Sequence, residues 1–177
     1  MNVQQIILLI INVIGGIAVI GSYILGLGTQ SGGANVLWGG VPAGIRPVYT
    51  VSMIISAIAY FAFIYFILFR IDTKDTLIWN RFSYSIFYLI FFLMLAPSAL
   101  WMPLTNVYVN NQAAGTWIAV RTVLAIVGLA SIALVWALLS LQPKYTGFSY
   151  WSAVVGSAYF AFHTAILDAV LWAALFK

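Results

Sequence analysis

Arg121, His163 and Asp168 lie inside long apolar runs, away from the run ends, where a bilayer tolerates an ionisable group least. A charge near mid-membrane costs roughly 2.5–3.5 kcal/mol on insertion scales, so such a side chain pairs, faces a cavity or reaches for the headgroups. The order of the spans sets Arg121 and Asp168 at similar depth. A buried Arg121–Asp168 ion pair is one reading. In the other, Arg121 snorkels to the interface and Asp168 meets a hydroxyl or water. His163, near mid-membrane, reads either as a hydrogen-bonded packing residue or as a single axial ligand to a haem iron. With one histidine and no cysteine, the chain cannot build a closed zinc site.

Enzyme chemistry has little to work with. At roughly 100° per residue an α-helix points His163 and Asp168 about 140° apart, whereas Thr164 and Asp168 share a face. No nucleophile, base and orienting group therefore assemble within one helix. There is no glutamate and there are only three acidic residues, which leaves no carboxylate pair for hydrolysis. No lysine lies within a span to form a Schiff base with retinal.

These groups are positioned by five apolar runs, expected as helices at Gln5–Leu27, Val48–Phe69, Asn80–Leu104, Trp117–Leu141 and Ser149–Phe176. Each is about the length, roughly 20 residues, that a helix needs to cross the hydrocarbon. Of the 177 residues, 64% are hydrophobic and 6% charged, so no polar face remains to meet water. The expected fold is all-α: an integral, multi-pass membrane bundle of five transmembrane helices, one domain over 1–177. The first run lacks a basic leader and is too long for a cleavable signal, so it is read as the first span. The net charge of +4 is not gathered on a basic face, which excludes nucleic acid as a partner.

Five spans place the N-terminus with linkers two and four on one side, with Arg70, Lys74, Arg81 and Lys144. Linkers one and three and the C-terminus share the other, with Arg46, Arg121 and Lys177. The positive-inside rule tilts the first side toward the cytoplasm by a single residue. Trp79, Trp117, Trp151, Tyr108, Tyr145 and Tyr150 mark the ends of spans as interfacial anchors. Small residues recur every fourth position in helix five (Ala153, Ser157, Ala161, Ala165, Ala169, Ala173) and at Ala18, Ser22 and Gly26 in helix one. They let helix backbones approach, either within the bundle or across a homodimer seam.

Pro97 and Pro103 each remove a backbone donor, so helix three should kink or unwind toward the linker-one side. Trp101 lies between them. The same side receives Trp38, Pro42, Arg46 and Pro47 of the Gly/Pro-rich first linker, Tyr49 at the start of helix two, and Trp172. Aromatics, kink-makers and buried charges thus gather in one half of the bundle. That describes a mostly apolar pocket with a few polar groups under a glycine-rich cover. A pore would need polar residues along its length, which helices one and two lack.

Three ordered motifs resemble the translocator protein family, also called tryptophan-rich sensory proteins (TspO). The family's first loop carries a Trp and then Pro-x-Trp-x-Pro-Pro; here Trp38, Pro42 and Pro47 remain, with Gly44 and Arg46 at the intervening positions. Its helix three carries Asn-x-x-Trp-Ser-Pro-Leu, against Ser98-Ala99-Leu100-Trp101-Met102-Pro103-Leu104. Its helix five shows Asn-x-x-Ile-Trp, against Asp168-Ala169-Val170-Leu171-Trp172. The resemblance implies a cavity open toward linker one that takes porphyrins, sterols or similar flat hydrophobic ligands. The expectation is a membrane receptor or carrier without a required cofactor, with a porphyrin or haem entering as ligand. Trp38, Trp101 and Trp172 would stack on the ligand, and Arg46 or Arg121 would pair with its carboxylate. Tyr49, Ser98, His163 and Asp168 would complete the wall. The alternative is a non-catalytic structural subunit of a larger membrane assembly.

Overall fold

The computed structural model describes Met1–Thr29 and Gly33–Phe176; Gly32 of the first linker and Lys177 lie outside the described residues. Five helices are long and apolar enough to cross a membrane: α1 (Val3–Thr29), α2 (Arg46–Phe69), α3 (Ile86–Asn110), α4 (Ala114–Leu139) and α5 (Phe148–Leu175). Their outward faces carry large apolar side chains along their whole length. Ile17, Phe61 and Leu129 are 67%, 71% and 68% exposed, a surface suited to hydrocarbon and not to water. The chain is a multi-pass membrane protein.

Around the bundle the packing order is α1, α3, α4, α5, α2, and the ring stays nearly open between α1 and α2. Close approach is built where glycines stand. A Cβ on Gly15 or Gly26 of α1 would lie 2.7 Å from Leu95 or 2.1 Å from Met102 of α3. A Cβ on Gly156 of α5 would lie 3.1 Å from the Ala59 carbonyl of α2. Ala153 and Ser157 are fully buried, so the small-residue stripe of α5 packs inside the bundle.

One end of the bundle is tightly filled. Phe63, Phe87, Phe91, Leu134 and Leu138 form its core, and Tyr60 packs edge-on to Phe63 and Phe91 at 5.0 and 6.0 Å. The N-terminus and the second and fourth linkers meet at this end. Asn2 hydrogen-bonds Thr73, Tyr145 accepts from the Asp72 amide at 3.0 Å, and Leu77 and Gln142 exchange backbone hydrogen bonds of 2.8 Å.

Two expectations about α3 are corrected. It begins at Ile86 and not at Asn80, because Leu77–Ile78 (β1) and Phe82–Ser83 (β2) pair as an antiparallel hairpin. Its turn places Trp79 and Asn80 at φ 53° and 54°, a left-handed geometry that no helix can include. The helix then runs through Pro97 and Pro103 to Asn110, past the expected end at Leu104. Beside the prolines, Ser98 and Thr105 donate to the Met94 and Trp101 carbonyls at 2.6 and 2.8 Å, the back-bonding to residue i−4 that Ser and Thr make within helices.

Candidate functional site

At the other end of the bundle the core gives way to a cavity of about 500 Å³. Its far end is reached by Val19 and Phe160, where the aromatic packing of the closed half begins. The first linker roofs it. Gly33–Trp38 forms a 3-10 turn whose Leu37 carbonyl accepts from the Trp172 indole at 3.0 Å. Gly39, at φ +50°, lets the chain reverse against the Phe176 ring, and Gly40 passes so near the Leu175 carbonyl that a Cβ would sit 2.3 Å from it. The roof is therefore fastened to the C-terminal end of α5.

Of the residues singled out from sequence, Trp38, Tyr49, Ser98, Trp101, His163, Asp168 and Trp172 all line this cavity. The rings meet at steep angles: Trp101 and Trp172 at 74° and 5.4 Å, Trp38 and Tyr49 at 79° and 5.9 Å. Tyr23 leans on Trp101 at 5.5 Å, and the Tyr49 hydroxyl donates to the Leu167 carbonyl at 2.9 Å.

The two arginines do not join them. Arg121 is exposed, because α4 turns Val120, Leu124 and Val127 inward and Arg121 lies about 100° round from Val120. The Arg121–Asp168 pair, one of the two readings from the sequence, is not made: Arg121 stands exposed and Asp168 faces His163. Arg46 caps the roof from outside: its Nε donates to the Val41 carbonyl at 3.1 Å and its guanidinium lies 5.9 Å from the Trp38 ring centre.

Asp168 meets His163 instead, Oδ2 to Nε2 at 3.6 Å. An α-helical reading separates these two by about 140°. The backbone resolves this, because Phe162–Trp172 is π-helical. Bonding from i to i+5 widens the turn, so residues five apart come onto one face. The other imidazole nitrogen is held as well: His163 Nδ1 is 2.9 Å from Ser52 Oγ, which accepts from the Tyr159 hydroxyl at 3.1 Å. With Ser52 donating to Nδ1, the hydrogen on Nε2 points at Asp168. Both ring nitrogens thus face protein groups, which disfavours His163 as an axial haem ligand.

Hydroxyl, imidazole and carboxylate are in sequence across two helices, yet the arrangement does not suit nucleophilic catalysis. Ser52 is 3% exposed and lies mid-helix, where neighbouring backbone N–H groups are spent on the helix and none is free for an oxyanion. The role that fits is orientation. Ser52→Ala is expected to destabilise by about 1 kcal/mol, the worth of a hydrogen bond, and to loosen the His163 ring. Histidine NMR chemical shifts that stay unchanged in this variant would contradict that.

Sequence reasoning missed Ser52, Ser56, Tyr23 and Ser131. Ser131 takes a hydrogen bond from Thr164 at 3.0 Å and so ties α4 to the π-helical stretch. A signal did exist on α2: Tyr49, Ser52 and Ser56 recur at helical spacing, and all three are buried. Two residues of the cavity wall, Trp101 and Ser56, each carry a polar atom that is buried without a partner and out of reach of the open space.

Comparison with family models, with curated proteins and with solved structures gives no match to the chain.

Proposed function

We propose that the protein is a membrane receptor or carrier for a hydrophobic small molecule, bound in the cavity beneath the first linker. The observation that carries this reading is the cavity itself: about 500 Å³, walled by apolar and aromatic side chains with Ser98, His163, Thr164 and Asp168 among them. A wall of this kind favours a ligand with a largely apolar body and a few polar groups. The size agrees, since small-molecule sites span roughly 300–1,000 Å³. The nearly open seam between α1 and α2 supplies a route: Met53 and Ala57 of α2 line the cavity and are also exposed on the outer surface.

The motif resemblance to the translocator protein family supports a ligand cavity in this position. Its porphyrin ligand fits these residues less well. Among the described residues no lysine or arginine lines the cavity to meet a porphyrin's carboxylates, and His163 has both ring nitrogens directed elsewhere.

The test is a titration of purified protein with neutral, cationic and anionic hydrophobic probes, protoporphyrin and a sterol among them, followed by tryptophan fluorescence and thermal shift. At least one probe should quench saturably and raise the unfolding temperature, and Trp101→Ala should weaken its binding about tenfold by removing a ring of the cavity wall. Quenching that never saturates and matches empty micelles for every probe would end the proposal.

A further inference from the structure

We infer that the cavity selects a cation: a hydrophobic amine or quaternary ammonium ligand, its charge set against Asp168 and the surrounding ring faces. This deepens the ligand-binding reading and rests on it. Among the described residues, Asp168 and His163 are the acidic and imidazole groups of the wall and no lysine or arginine lines it; Arg46 hydrogen-bonds the roof at Val41 and Arg121 is exposed. Asp168 keeps 33% of its side-chain surface accessible. Its contact with His163, at 3.6 Å, is longer than the 2.7–3.2 Å of a formed N–H···O bond, so the imidazole leaves the carboxyl incompletely satisfied.

An anionic ligand would meet this carboxyl group in a low-dielectric site where no described basic side chain lines the wall to offset its charge. A cation supplies what is missing. The rings strengthen the preference, because the faces of Trp and Tyr attract cations and do so most when water is excluded. Their angles matter as well. Trp101 against Trp172 at 74° and Trp38 against Tyr49 at 79° make walls that turn corners around a compact group. A flat polycycle would instead call for parallel faces.

The experiment compares benzyltrimethylammonium with neopentylbenzene, which has the same shape with a carbon in place of the charged nitrogen. Binding is measured by titration calorimetry on the full chain in micelles. The wild type should bind the ammonium at least tenfold tighter than its neutral counterpart. Asp168→Asn should shrink that preference below threefold, and Asp168→Glu, which keeps the charge, should retain most of it. Unfolding midpoints of both variants are read alongside, so that loss of fold is not taken for loss of selectivity.

Equal or tighter binding of neopentylbenzene by the wild type would overturn the inference, as would an undiminished preference in a folded Asp168→Asn protein or no saturable ammonium binding. Saturable neopentylbenzene binding that Trp101→Ala weakens, without any preference for charge, would leave the hydrophobic receptor standing and remove only the cation.

Discussion

Trp172→Ala is expected to destabilise the protein by about 3–5 kcal/mol, the range for truncating a large buried aromatic, and to weaken any cavity ligand at least tenfold. The expectation follows from how many parts meet at this indole. It is 5% exposed, lies 4.5 Å from Phe176, 5.4 Å from Trp101 and 6.1 Å from Trp117, and donates to the Leu37 carbonyl at 3.0 Å. Removing it opens a void at the C-terminal end of α5 and strips the roof of its side-chain hydrogen bond. Trp172→Phe keeps one aromatic ring but loses the N–H and part of the indole's volume, so it should cost less than the alanine variant, about 1–3 kcal/mol. Equilibrium unfolding in mixed micelles measures both, and a loss below 1 kcal/mol in the alanine variant would show that the roof is not fastened through Trp172.

The second large effect is expected at Gly128, where a leucine should cost about 3 kcal/mol by overpacking and should also disturb the cavity. A Cβ at Gly128 would lie 2.9 Å from the Ala165 Cα and 3.2 Å from its Cβ, so α4 and α5 touch backbone to backbone there. Ala165 lies between His163 and Asp168 within the π-helical stretch. Pushing it outward should separate the two side chains and weaken ligand binding together with stability. Gly21 is the control: nothing lies within 4 Å of a Cβ placed there, so Gly21→Ala should be neutral or slightly stabilising. If Gly128→Leu unfolds at the wild-type midpoint, or binds ligand unchanged, the close approach does not hold the site.

How much of this was legible in the residues depended on range. The five spans follow from run length and the absence of polar faces, because hydrocarbon imposes that pattern on every helix it surrounds. The gathering of Trp38, Trp101 and Trp172 also followed, since an odd number of crossings fixes which linkers share an end. Local backbone departures did not show. Nothing in Leu77–Ser83 announces that Trp79 will adopt a positive φ, so the start of α3 was set too early.

The pairing of His163 with Asp168 was hidden for the same reason. Five residues apart on an α-helix means opposed, and only the wider turn of Phe162–Trp172 reverses that. Arg121 was a matter of rotation: depth can be counted from the end of a span, but the facing of one residue depends on which neighbours α4 packs against. Ser52 left little trace because a hydroxyl within a transmembrane helix ordinarily bonds its own backbone.

The seam between α1 and α2 sets the scale on which affinity has to be judged. Met53 and Ala57 line the cavity and are exposed, so in the proposed receptor a ligand dissolves in the bilayer first and steps sideways into the site. Occupancy then follows the ligand's mole fraction in lipid, not its concentration in water. Two molecules with equal contacts in the cavity would show apparent dissociation constants that differ by their membrane–water partition coefficients, and each would shift as the lipid-to-protein ratio is changed.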